Sequence, residues 1–240
     1  MPDPYLSIII PAHNEENRLS QTLEQVVRFA GSQSFRSEVL VVENASTDRT
    51  LEVGNEYAAR HADMIRILHE DLPGKGRAVQ KGMLAATGAY RFFADADFSM
   101  PTSEIVRFIP PRVDVPIAIA SREAPGAVRY DEPFYRHVTG RVFNTFIRML
   151  VLPALHDTQC GFKMFRADAA EDLFRRQTLM GWSFDVELLY IASQRGYPIL
   201  EVAIPWYFNP ESKINVWRDS WRMFVDLLAI RRNGRLGRYD

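Results

Sequence analysis

Leu6-Ser7-Ile8-Ile9-Ile10 runs straight into Pro11-Ala12-His13-Asn14-Glu15-Glu16, a short β-branched segment that ends in polar residues. A run this short and this rich in isoleucine reads as a strand buried on both faces, not as a helix. Glu16–Phe29 follows it with Leu19, Leu23, Val26 and Val27 at helical spacing. The same rhythm then repeats. Val39–Val42, Met64–Leu68 and Arg91–Ala94 read as further strands. Asp48–Arg60 and Gly76–Ala86 read as helices, the second striped by Val79, Met83 and Leu84. Ser46 or Thr47 is placed to cap the Asp48 helix, with Asp48 favoured at its positive end. Strand and helix alternating at this pitch imply an α/β fold, with a mainly parallel central sheet flanked by crossover helices.

Beyond Asp97 the rhythm loosens. Val115–Ala120 and Ile199–Ile204 read as strands, the latter bounded by Pro198 and Pro205. Phe134–Leu152, Phe184–Gln194 and Asp219–Arg232 read as helices. No repeat, low-complexity tract or linker divides the 240 residues, so a single domain over 1–240 is expected.

Composition excludes several classes. One cysteine, Cys160, cannot form an internal disulfide framework and reads as a small apolar packer. Lys+Arg 29 against Asp+Glu 30 leaves a net charge of −1, which gives no nucleic-acid signature. No apolar run approaches the roughly 18–20 residues of a spanning helix, and the N-terminus lacks a signal-peptide layout. A cytoplasmic protein is expected, with a position on the inner face of a membrane left open.

Four polar clusters follow the strands and helix starts. Asp95-Ala96-Asp97 leaves the fourth strand, where ligands of open α/β sheets bind, and paired carboxylates there suit a hard divalent ion holding a diphosphate. A solvated acidic turn is the plainer explanation. Pro11–Glu16 either opens a nucleotide-sized crevice or merely complements a helix dipole. Glu43 and Asn44 stand beside it, and the Asn44 amide carries the donor and acceptor that the edge of a uracil-like base requires, although ordinary turn chemistry also explains that stretch. Gly74-Lys75-Gly76 at a helix start offers an anion site or a simple turn.

In this order the four clusters resemble the donor half of the inverting family-two glycosyltransferases, which have a GT-A (Rossmann-like) fold. Asp157–Lys163 (DTQCGFK) and Gly181–Leu188 (GWSFDVEL) are similar to segments of the dolichyl-phosphate β-glucosyltransferase branch, which includes bacterial polyprenyl-phosphate glycosyltransferases. The likeness runs from about Tyr5 to Ile204. It implies a nucleotide-sugar-binding half over 1–100, an acceptor half over 101–210 with a C-terminal acceptor-side helical region, and an amphipathic basic tail over 211–240.

The resemblance also implies roles. Pro11, Ala12 and Glu15 would hold the nucleoside, with His13 as a wall. Glu43 and Asn44 occupy positions where the family usually carries two aspartates, the second reading uracil. Asp95 would lie near the ribose and donor sugar, Lys75 near the donor or its phosphates, and Asp97 would be the principal ligand of Mg²⁺ or Mn²⁺. Arg122 and Arg136 would hold a lipid phosphate. Asp157 and Gln159 belong to the acceptor side, and Trp182, Asp185 and Glu187 to a sugar-facing helix start.

The expected activity is metal-dependent transfer of a hexose, glucose by resemblance, from a UDP-sugar to a polyprenyl or dolichyl phosphate. A phosphate acceptor is already an anion and needs cations more than a base; Arg122, Arg129, Arg136 and Arg141 answer that need. A hydroxyl acceptor would need a base, and Asp157, Asp185 or Glu187 are the candidates. A soluble glycan acceptor and a non-catalytic nucleotide-sugar-binding module are the alternatives. From Lys213 to Asp240 seven cations face three acids. That balance suits an anionic membrane surface, while Trp217, Trp221, Phe224 and Leu228 form a stripe that packs on the domain or on lipid.

Overall fold

Ile8, Ile9 and Ile10 are all fully buried, and they lie on an inner strand of a seven-stranded sheet. The computed structural model describes residues 4–209 and 216–240; the side chains of Tyr135, Arg136, Val138, Thr139, Phe143 and residues 216–220 lie outside that description. β1 (Leu6–Ala12), β2 (Ser37–Asn44), β3 (Ile65–Glu70) and β4 (Tyr90–Ala94) are mutually parallel in the order β3-β2-β1-β4. α1 (Leu19–Gly31), α2 (Thr50–Arg60) and α3 (Lys75–Ala85) cross over between them. The sheet continues through β7 (Phe162–Arg166), β5 (Ile117–Ser121) and β8 (Ile199–Ala203). The α/β, mainly parallel architecture expected from the sequence is present.

Period-two alternation splits the core between the two sheet faces. Ile8, Ile10, Val39, Val41 and Phe92 pack toward α1 on one face. Ile9, Leu40, Val42, Phe93 and Phe165 pack on the other against α3, α5 (Ala167–Arg176) and α6 (Phe184–Gln194). Each such side chain contributes about 1.5–3 kcal/mol by leaving water. A two-stranded ribbon of β6 (Val128–Tyr130) and β9 (Pro205–Tyr207) stands apart from the sheet. α4 (Phe134–Leu150) and α7 (Val216–Arg235) pack against each other.

Three expectations need correction. The first helix starts at Leu19 and not Glu16, because residues 14–16 bond sideways to the turn after β2. The Glu15 amide donates to Thr50 Oγ1 at 2.7 Å and the Glu16 amide to Asp48 at 3.2 Å. The cap position of α2 is Arg49, not Ser46 or Thr47, and it makes no side-chain cap bond; Asp48 just before it accepts the amide (3.0 Å) and the hydroxyl (2.5 Å) of Thr50 through Oδ1. β7, which the sequence reading left without an element, runs antiparallel to β4 and β5 in the middle of the sheet.

The helix expected over Asp219–Arg232 is longer, and the face it buries carries Leu227 and Ile230. Trp221 and Leu228 of the expected stripe point outward, and Trp217 falls outside the described side chains.

Candidate active site

A cleft of about 800 Å³ opens at the carboxyl ends of β1, β2 and β4. Three non-glycine residues leave these strands with positive φ: Asn14 (53°), Ala45 (49°) and Phe98 (38°). Left-handed backbone at such residues costs free energy and tends to gather where function sets the chain path. Here it turns each strand exit sharply, so that short polar side chains line the cleft. The turns brace one another, since Asn14 Oδ1 accepts the Thr47 amide at 2.8 Å and Ser46 Oγ accepts the Asn14 amide at 3.0 Å. Pro11, Ala12, His13 and Glu15 all line the cleft, where the resemblance puts the nucleoside.

The second strand end departs from expectation. Glu43 is only 2% exposed and does not line the cleft; its carboxylate accepts the Ser46 amide at 2.6 Å and faces His69. It braces the turn instead of touching a ligand. Asn44 lines the cleft, but its amide is committed: Oδ1 accepts the Gly74 amide at 2.8 Å and Nδ2 donates to the Leu72 carbonyl at 2.7 Å. With both ends of its amide engaged, Asn44 holds the loop before α3 instead of presenting a free amide to the cleft, as the sequence reading expected.

Lys75, first residue of α3, reaches across to Asp95, with Nζ 2.6 Å from Oδ1 and 5.4 Å from the centroid of Trp182. Burial works against its charge, but Asp95, Asp185 and Asp97 together raise its pKa above the usual lysine value. Asp97 opens into the cleft and accepts the Ser99 amide at 3.3 Å. Desolvation by the surrounding protein, reinforced by Asp95, pushes its carboxyl up. A cation arriving beside Asp97 would relieve that repulsion. Among the described residues no three His, Cys, Asp or Glu side chains gather as a metal cage. A single hard carboxylate fits Mg²⁺ or Mn²⁺ that takes its remaining ligands from diphosphate and water.

Across the cleft, Arg122 and Asp157 form a bidentate pair, Nε–Oδ2 2.7 Å and Nη2–Oδ1 2.9 Å, and Oδ2 also accepts the Arg122 amide at 2.9 Å. Burial alone would raise the Asp157 pKa, but Arg122 outweighs it and holds the carboxyl at about 2. Asp157 is therefore a poor proton acceptor; its work is to fix Arg122, which corrects its reading as a base. The Arg122 and Arg129 guanidiniums lie 5.4 and 5.8 Å from the ring centroid of Trp206, and Arg129 is paired with Glu123 and Glu132 at 2.6 Å each. Gln159 lines the same wall and its backbone N–H donates to Asp157 Oδ1 at 3.3 Å. The Arg136 side chain lies outside the described residues, while His137, Gly140 and Asn144 of α4 line the cleft. Arg141 is exposed and does not line it.

At the start of α6, Trp182 and Asp185 line the cleft but Glu187 does not. Glu187 is fully buried, accepting the Thr178 and Leu179 amides at 3.0 and 2.8 Å and the Tyr239 hydroxyl at 2.9 Å. It ties Tyr239 to the loop before α6 and does not face the cleft, contrary to what the resemblance implies. Asp185 meets Lys163 Nζ at 2.8 Å; burial raises its pKa, partly countered by Lys163 and Lys75. Lys163, the last residue of DTQCGFK, was given no role of its own in the sequence, although a lone lysine in the apolar run FKMFR was the available signal. Trp206 was missed as well, one residue beyond Pro205. Cys160 is buried, and desolvation drives its thiol up to about 12, so it packs without reacting.

A model of the family described as Glycosyl transferase family 2 matches residues 7–174. A dolichyl-phosphate beta-glucosyltransferase of Drosophila melanogaster is 35% identical over 244 residues, spanning 95% of this chain and 75% of the relative. The enzyme of that name from Saccharomyces cerevisiae is 30% identical, with 98% and 76% spanned. The glucosyl-3-phosphoglycerate synthase of Mycobacterium tuberculosis, crystallised with UDP, superposes with a TM-score of 0.71 at 17% identity, covering 95% of this chain and 80% of that one. The same synthase with Mn²⁺, UDP-glucose and phosphoglyceric acid gives 0.67 at 16%, covering 95% and 79%. These likenesses show a shared GT-A fold.

Proposed function

Because this chain belongs to glycosyl transferase family 2 and is a glycosyltransferase, we propose that it moves glucose, with inversion, from UDP-glucose to a polyprenyl phosphate such as dolichyl phosphate. The observation that carries this reading is the division of one cleft into two chemistries. Asp95, Asp97 and Lys75 stand at the strand ends, and Arg122 with Asp157, Trp206 and Arg129 stands opposite. The nucleoside lies along Pro11–Glu15, and Asp97 holds Mg²⁺ or Mn²⁺. That ion, when bound, neutralises charge growing on the departing diphosphate. Lys75 is steered by Asp95 toward the same end of the cleft.

None of the three carboxylates read as candidate bases stands clear of protein partners. Asp157 is held at about 2 by Arg122, one oxygen of Asp185 is paired with Lys163, and Glu187 is buried away from the cleft. A hydroxyl acceptor needs its proton removed; a phosphate does not. The arrangement therefore favours an anionic acceptor, oriented by guanidinium groups and attacking the anomeric carbon from the face opposite UDP.

The lipid reading has a surface to match. Among the described residues no helix is long and apolar enough to cross a membrane. Phe134 (81% exposed) and Met149 (76%) on α4, and Trp221 (69%) on α7, project outward on the two helices that supply His137, Asn144 and Met223 to the cleft. Helices with exposed apolar residues and arginines suit a headgroup layer. In our reading the protein docks on a membrane surface, which brings the lipid phosphate to the cleft.

The test is transfer of radiolabelled glucose from UDP-glucose into the organic phase, using purified protein, Mn²⁺ and polyprenyl phosphate in vesicles. Labelled lipid is the expected product. Transfer only to a water-soluble glycan would overturn the acceptor assignment.

A further inference from the structure

β7 enters the middle of the sheet antiparallel to its neighbours, with Lys163 opposite Phe93 of β4 and Ile119 of β5. Lys163 is fully buried there. A buried ammonium is costly to desolvate, and an apolar side chain of similar volume often serves stability as well or better. Stability alone is thus a poor account of a lysine at this position. Its contacts point elsewhere. Nζ donates to the Cys160 carbonyl at 2.6 Å and to Asp185 Oδ1 at 2.8 Å, and stands 5.2 Å from the centre of the Phe93 ring.

These bonds hold one oxygen of Asp185 and leave the other, Oδ2, with no hydrogen-bond donor among the described residues, in a side chain that lines the cleft beside Trp182 and Gly181. Asp185 itself is only 4% exposed. A carboxylate oxygen so placed repels phosphate and accepts from hydroxyls, as the neutral, polyhydroxylated part of a nucleotide-sugar requires.

We propose that Lys163 is a positioning residue for the donor sugar: from beneath the floor of the cleft it anchors Asp185 so that the free carboxylate oxygen meets a hexose hydroxyl. This rests on the UDP-sugar reading above and extends it to a residue that touches no ligand. Affinity for the sugar then depends on Lys163, and affinity for the nucleotide does not.

Calorimetry with UDP and UDP-glucose, both with Mn²⁺, separates the two. For Lys163→Met, UDP binding should stay within about twofold while UDP-glucose binding and kcat/KM fall about tenfold or more, the scale of a lost hydrogen bond to a charged group. Lys163→Arg, which keeps a buried cation, should recover part of the loss. Lys163→Met combined with Asp185→Leu removes both charges and so guards against failure to fold; it should bind UDP normally and still lose the sugar-dependent share. Parallel weakening of UDP and UDP-glucose, or wild-type UDP-glucose affinity in the double variant, would overturn the proposal. Failure of the wild-type protein to bind UDP-glucose would strike the donor reading itself, a separate result.

Discussion

Gly161 lies against the carboxylate of Asp95. The Asp95 amide donates to the Gly161 carbonyl at 3.0 Å, and a Cβ on Gly161 would overlap Oδ2 and Cγ of Asp95 and stand 2.8 Å from its Oδ1. The acceptor-side loop thus closes on the donor-side strand through a residue without a side chain. Gly161→Ala should leave the fold standing, because the group that yields is the end of a short side chain. It should swing Asp95 away from Lys75. Misplacing a positioned group by about 1 Å can cost 10²-fold in rate. We expect kcat/KM for UDP-glucose to fall on that scale while the melting temperature moves little; unchanged kinetics would show that the position of Asp95 is immaterial.

Asp97 is the second measure of the donor end. It opens into the cleft and is held by Ser99, while desolvation by the surrounding protein and the charge of Asp95 push its carboxyl up. Removing it relieves repulsion and leaves no core gap, so Asp97→Ala should shift stability by no more than about 0.5 kcal/mol. Transfer should drop by at least about 10²-fold, as expected when a principal electrostatic contributor is lost. In the wild type, a chelator should stop transfer and Mn²⁺ should restore it. Full activity in a metal-free preparation would remove the ion from the scheme.

Much of this donor end was legible in the sequence because it is local. Strand exits such as Ala12-His13 and Ala94-Asp95 place their polar residues by chain continuity alone. What was not legible depends on where distant segments meet. Glu43 and Asn44 look like ligand groups in sequence, yet one braces the turn at Ser46 and the other pins Leu72 and Gly74. Glu187 resembles a cleft residue from its place near Asp185, but two helical positions turn it about 200° from that side chain. β7 was missed because its pairing partners, β4 and β5, lie some distance from it in sequence, and antiparallel insertion into a parallel sheet breaks the rhythm on which the reading relied.

The Arg122–Asp157 pair gives a pH signature. Asp157 titrates near 2 in the folded protein and near 3.8 when unfolded. A depressed carboxyl stabilises the fold above the unfolded value and loses that contribution as pH falls through the folded one. The difference amounts to about 2 kcal/mol. Urea midpoints of the wild type should therefore exceed those of Asp157→Asn by their full margin at pH 6, with the gap narrowing below about pH 4. A gap independent of pH would mean that the pair does not carry the effect.

Trp206 should matter to the acceptor and not to the donor. Its ring receives two guanidiniums, Arg122 at 5.4 Å and Arg129 at 5.8 Å. Cation–π contacts of this kind are worth about 0.5–2 kcal/mol. Trp206→Leu keeps an apolar wall but removes the ring that both guanidiniums face, while their carboxylate pairs remain, so KM for polyprenyl phosphate should rise about twofold to thirtyfold, with the affinity for UDP unaltered. Equal losses for both substrates would place the arginines in the service of the donor.

Asn44 offers the sharpest contrast between a sequence-based expectation and the geometry. An aspartate is the residue that the family resemblance leads one to expect here, so Asn44→Asp reads as a restoration. The hydrogen bonds say otherwise. Nδ2 donates to the Leu72 carbonyl at 2.7 Å, and a carboxylate in its place would press one acceptor against another in a site that is 4% exposed. The bond from the Gly74 amide would survive, but the opposing one would become a repulsion. Leaving a buried carbonyl unpaired costs about 1–3 kcal/mol, and the displaced loop leads directly into Lys75. Asn44→Asp should lower the unfolding free energy by that amount and weaken UDP-glucose binding, read by urea titration and calorimetry. Tighter UDP binding by the aspartate variant would show that this loop rearranges when the nucleotide enters, and that the amide was serving the base after all.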